Sequence, residues 1–112
     1  MDTPIAIECR FDSNAKLYSA YMPYVQGGGV FYRTAEKFEM GAPVMLKLQL
    51  PEEIETHEIT GEVVWITPKG AQSNRPAGVG IQFKSDNSKL IVNKIETHLA
   101  GLLKSSQLTD TM

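Results

Sequence analysis

Three consecutive glycines, Gly27, Gly28 and Gly29, stand between a tyrosine-bearing run that ends at Gln26 and the apolar pair Val30 and Phe31. Glycine enters the left-handed backbone region without a Cβ penalty, so such a triplet marks a tight turn or the close approach of another chain or ligand. Extended alternation restarts at Val30, which makes the turn the entrance to a β-strand. The chain before it reads the same way. Ile5, Ile7 and Cys9 alternate with Ala6, Glu8 and Arg10 in a first strand. Asp12-Ser13-Asn14 breaks that strand, Leu17 to Tyr21 resumes extended structure, and Pro23 marks its end. Val30 to Arg33 is a third strand, and Ala35 to Ala42 a loop leading to Gly41.

The middle of the chain carries the clearest period of two. Val44, Leu46, Leu48 and Leu50 face one way and Met45, Lys47 and Gln49 the other, a half-buried strand closed by Pro51. Glu52, Glu53 and Glu55 form an acidic hairpin tip, and His57 to Thr67 is a longer strand with Gly61 as its expected bulge. A connection rich in turn formers runs to Pro76, and Gly78-Val79-Gly80-Ile81-Gln82-Phe83 is the last strand. The period then lengthens. Ile91, Ile95, Leu99 and Leu102 recur at intervals of three and four, one stripe of a helix that Asp86, Asn87 or Ser88 caps. The expected architecture is mainly β: a small six-stranded antiparallel β-barrel with a C-terminal α-helix over its open end or side. Residues 1–103 form the single domain, and the polar stretch Lys104 to Met112, without aromatics, is expected to be a disordered tail.

Charge and composition remove several functions. A chain of 112 residues supports one core. Its formal net charge of −2 and scattered basic residues offer no field for nucleic acid or anionic lipid. The apolar runs fall short of the roughly 18 residues of a spanning helix, so no direct membrane insertion is expected. Met1-Asp2-Thr3-Pro4 lacks the basic and apolar parts of a signal peptide, from which a cytoplasmic address follows as an expectation. The lone Cys9 sits in an apolar strand and is expected to behave as a small buried hydrophobe.

Catalysis finds no foothold. His57 and His98 lie 41 positions apart, outside any metal-ligand spacing, and are expected to be structural or surface residues. Ser19, Ser73 and Cys9 lack an activating context, and Glu52, Glu53, Glu55 and Glu58 read as solvated charge around a turn. Neither Lys-Ser/Thr nor a helix follows the glycine triplet, as a phosphate-binding loop would require. No catalytic residue, metal or cofactor is therefore expected.

The turn Gly28-Gly29-Val30-Phe31, the Trp65-bearing strand and the closing Gly-Val-Gly-Ile-Gln-Phe strand, in that order, resemble the PilZ domain family. The resemblance covers roughly Tyr24 to Leu103. It implies two motifs for cyclic di-GMP: Arg-x-x-x-Arg before the barrel, and Asp/Asn-x-Ser-x-x-Gly at the glycine turn. With the last Gly placed on Gly29, Tyr24 stands for the acid or amide and Gln26 for the serine; registers ending on Gly28 or Gly27 start at Pro23 or Met22. The only arginines are Arg10, Arg33 and Arg75, and no two are four positions apart. The scaffold half of the motif is present and the ligand half is missing. Leu-Tyr-Ser-Ala-Tyr-Met-Pro before the glycines, Gly-Ala-Gln-Ser-Asn-Arg in the long connection and Asn-Lys-Ile-Glu-Thr-His-Leu-Ala-Gly-Leu in the helix are similar to the stand-alone PilZ proteins of type IV pilus assembly. For those the resemblance implies a non-enzymatic adaptor that binds the pilus extension ATPase and, in some bacteria, an EAL-domain cyclic di-GMP receptor.

Candidate partner-binding residues follow from chemistry. Tyr18 and Tyr24 share one strand face with Tyr21 opposite, and Trp65 continues the face of Ile59, Gly61 and Val63. Trp65 reads either as a core or helix-packing residue or as an interface anchor, since Trp and Tyr dominate interface hot spots. Gln72, Asn74 and Arg75 lie in a connection long for a hairpin. The chain is expected to be a monomer. The rival reading is a cyclic dinucleotide receptor with a non-standard site; a small RNA-associated barrel is disfavoured by the acidic pI.

Overall fold

A computed structural model describes residues 4–67 and 77–110, with helix side chains described through residue 100. The chain order is β1 (Ile5–Arg10), α1 (Asn14–Ala20), β2 (Gly29–Arg33), β3 (Pro43–Gln49), β4 (His57–Thr67), β5 (Gly78–Phe83) and α2 (Ser88–Asp110). The strands form one five-stranded sheet in the order β1-β3-β4-β5-β2. Pairs β3–β4, β4–β5 and β5–β2 are antiparallel, and β1 joins β3 in parallel. The sheet curls into a half-barrel whose edges, β1 and β2, do not pair.

Two expectations are corrected here. The sheet has five strands rather than six and is mixed rather than wholly antiparallel. The missing strand is Leu17 to Tyr21, most of which belongs to α1. Ser13 is not a strand breaker but the N-cap of that helix: its backbone is extended, and its hydroxyl accepts the Lys16 N–H at 3.2 Å. A helix of seven residues buries only Leu17, so it never displays the period of an amphipathic helix, and its tyrosines imitate a strand.

The concave face holds the core. Ile7 and Cys9 of β1, Val44, Leu46 and Leu48 of β3, Ile59 and Val63 of β4, Val79, Ile81 and Phe83 of β5 and Val30 of β2 are buried together. Leu17 of α1 and the stripe Ile91, Ile95 and Leu99 of α2 close that cluster from above. The alternation in β3 is thus realised as expected, and so is the helical stripe at Ile91, Ile95 and Leu99; the expected Leu102 lies outside the described side chains. Cys9 is a buried free thiol, with its pKa pushed up to about 12 by burial. α2 continues through residue 110, past Leu103, where a disordered tail was expected to begin.

Candidate protein-binding site

The glycine turn is held on three sides. Met22 N–H donates to the Gly29 carbonyl at 2.9 Å, Gly28 N–H to the Val25 carbonyl at 2.8 Å, and Phe83 N–H to the Gly28 carbonyl at 2.9 Å. The Gln82 side-chain amide donates to the Gln26 carbonyl at 2.7 Å. Gly27 and Gly28 carry φ of 82° and 87°, the left-handed region that favours glycine. Gly29 does not; it begins β2 in extended form and is packed against the Ile81 carbonyl, where a Cβ would come within 2.5 Å. A Cβ on Gly28 would likewise lie 2.5 Å from Cγ2 of Val92, so α2 leans directly on the turn.

Among the described residues, neither arginine stands beside the turn. Tyr24, where the motif has its acid or amide, is 79% exposed beside the turn. Arg33 ends β2, about 13 Å along the strand from Gly29 at roughly 3.3 Å per residue. Arg10 ends β1 at the far edge of the sheet. Arg75 lies outside the described residues, as do Gln72 and Asn74.

The outer face of the sheet carries the more telling feature. Val63 pairs with Ile81 but Trp65 pairs with Gly80, so β4 bulges at Val64 rather than at Gly61, which pairs regularly with Val44 and Phe83. The extra residue reverses the alternation. Trp65 therefore leaves the face of Ile59 and Val63, and the expectation that it continues that face is corrected. It is 48% exposed, on the side of the sheet away from the core. Its Nε1–H donates to Thr67 Oγ1 at 2.9 Å, which satisfies the polar tip and leaves the rest of the indole as apolar surface. Beneath it, Met22 is buried against Gly80, whose hypothetical Cβ would sit 2.9 Å from both Met22 Cε and Trp65 Cβ. The glycine admits the thioether, and the thioether supports the indole.

Tyr18 projects from α1 and is 54% exposed. Tyr21, the C-cap of the same helix, donates its hydroxyl to Glu96 of α2 at 3.1 Å and is part of the packing. Burial, with the Glu96 hydrogen bond and charge, pushes its pKa up to about 12. The tyrosines accordingly divide into a structural one, Tyr21, and two outward ones, Tyr18 and Tyr24.

One arrangement escaped sequence reasoning. Glu53, in the β3–β4 connection, meets His57 Nε2 at 3.2 Å, His98 Nε2 at 2.9 Å and Lys94 Nζ at 3.8 Å, so a hairpin charge binds both histidines and ties the turn to α2. The His98 hydrogen bond holds the Glu53 carboxyl below its ordinary range, burial opposes it, and the His57 bond and the Lys94 charge add to the depression. His57 also opens a central strand, not an edge one. Only the four-residue spacing of Glu53 and His57 hinted at the cluster; His98 arrives through tertiary packing. Both imidazoles spend Nε2 on the carboxylate, and among the described residues no group of His, Cys, Asp or Glu is arranged to hold a metal. No helix among them is long and apolar enough to cross a membrane.

A curled mixed sheet backed by a C-terminal helix, with Trp65 exposed on its outer face, defines a small β-rich domain. The PilZ domain family model matches residues 3–101, and the chain belongs to that family. PilZ domains are generally receptors and adaptors linked to cyclic di-GMP rather than enzymes. A search of curated proteins found no match.

Proposed function

We propose that this chain is a cytoplasmic, monomeric PilZ adaptor of type IV pilus assembly and twitching motility, which binds proteins and does not itself bind cyclic di-GMP. The observation that carries the reading is the split within the glycine turn: its scaffold is intact, with Gly27 and Gly28 at positive φ, while Tyr24 and Gln26 replace the ligand-binding types. Guanine recognition depends on planar guanidiniums and a carboxylate or amide, and no arginine pair at the required spacing exists. The partners that the resemblance implies are the pilus extension ATPase and an EAL-domain receptor. Trp65 and Tyr18 are the anchors of choice, as large rigid aromatics exposed on a folded surface, with Tyr24, Gln72, Asn74 and Arg75 as further contacts.

Purified ATPase and receptor domain, titrated separately against the chain, test the assignment. At least one should bind. Trp65→Ala and Tyr18→Ala should each weaken that complex by about 2 kcal/mol or more while the circular dichroism of the domain stays unchanged. Normal binding by both variants would move the interface elsewhere, and absence of binding to either protein would reject the pilus role.

A further inference from the structure

We propose that the cleft between the two edges of the half-barrel receives an extended acidic segment of a protein partner. The cleft encloses about 600 Å³ and lies between β1, α1 and β2. Its walls include Phe11, Phe31 and Tyr32, and three cations, Arg10, Lys16 and Arg33, border it. Two of the three arginines in a chain of net charge −2 thus converge on one opening.

Their charges are not answered from within. Lys16 pairs with Asp12 at 3.1 Å, and Glu8, in register with Lys47 on β3 but without an ion pair to it, is the one carboxylate in the lining, against two arginines. Arg10 stands opposite neutral Gln49, and Arg33 opposite Gly78. Neither arginine forms an ion pair among the described residues. A guanidinium fork without a partner matches a carboxylate in bidentate geometry, and the aromatic residues lining the same cleft suit an apolar side chain flanked by acids. Both long walls are edge strands, the setting in which an extended peptide adds to a sheet; Tyr21 and Met22 already hold the β2 edge at Val30 and Gly29, so the peptide lies along β1 or along β2 from Phe31 to Arg33. A small phosphate ligand fits less well. The cleft is far larger than one phosphate, and α1 contributes its flank at Ala15, Ser19 and Ala20 rather than a ring of N–H groups.

This inference rests on the protein-binding reading and specifies partner chemistry, but its test uses neither ATPase nor receptor, so each can fail alone. The probe is a blocked pentapeptide, Asp-Glu-Phe-Glu-Asp, compared with its amide counterpart Asn-Gln-Phe-Gln-Asn, added to the isotopically labelled full chain. The acidic peptide should shift the amides of Arg10, Phe11 and Phe31 to Arg33 saturably, and the amide peptide should bind at least about tenfold more weakly. The double variant Arg10→Gln, Arg33→Gln should lose about tenfold or more in affinity while keeping its melting temperature. Equal binding of the two peptides, shifts centred elsewhere, or full affinity in the double variant would overturn the proposal. So would inorganic phosphate or cyclic di-GMP producing the same shifts at equal or lower concentration, which would assign the cleft to a small anion.

Discussion

Gly28 combines a φ of 87° with a Cβ position 2.5 Å from Val92, so backbone and packing both demand glycine there. Gly28→Val should cost on the order of 1–3 kcal/mol from the backbone alone, with the overlap against α2 adding to it. A thermal melt equal to the parent's would mean that neither the turn backbone nor its packing against α2 requires glycine. Cys9 offers a second check. With a thiol pKa of about 12, its thiolate fraction at pH 8 is on the order of one in ten thousand, so a disulfide reagent should react far more slowly than with an unperturbed thiol. Rapid stoichiometric labelling of the native chain would contradict its burial. The glycine triplet and the buried cysteine were both legible in the sequence. Trp65 was not, because its facing depends on one bulge residue, and Val64 carries no mark distinguishing it from a regular strand position.

The elements that could be read are those long enough to repeat a period. β3 alternates over its whole length, and α2 shows its stripe at Ile91, Ile95 and Leu99. α1 could not be read because seven residues complete barely two turns and only Leu17 enters the core. Pairing was equally hidden: β1 shows the alternation of a strand but nothing that selects a parallel neighbour. The Glu53 cluster belongs to this scale, since it fastens the β3–β4 connection to β4 and α2. A carboxyl whose folded pKa is depressed adds stability above the ordinary glutamate range and loses it as pH falls through that range toward the folded value. Melts recorded from neutral to acid pH should therefore decline more steeply for the parent than for Glu53→Gln. Identical slopes would mean that the contacts to His98, His57 and Lys94 contribute nothing to folding.

Across the whole molecule, the half-barrel keeps the framework of a PilZ domain. Its glycine turn is locked between β5 and α2, its arginines lie away from that turn or outside the described residues, and its aromatic surface faces outward on β4 and α1. Family membership was legible because backbone-determined motifs survive as short strings of glycine and apolar residues. The open edges, and the cleft between them, follow from which strands meet and were beyond reach of the strings themselves. The proposed adaptor role requires a domain that has kept the scaffold and no longer binds the dinucleotide. Each missing charge-assisted contact is worth about 1.5–3 kcal/mol, and several are missing together, which corresponds to many orders of magnitude in affinity. Calorimetric titration of the folded chain with cyclic di-GMP is the direct test. No saturable heat is expected at micromolar concentrations; a micromolar complex with one or two nucleotides per chain would contradict the adaptor reading.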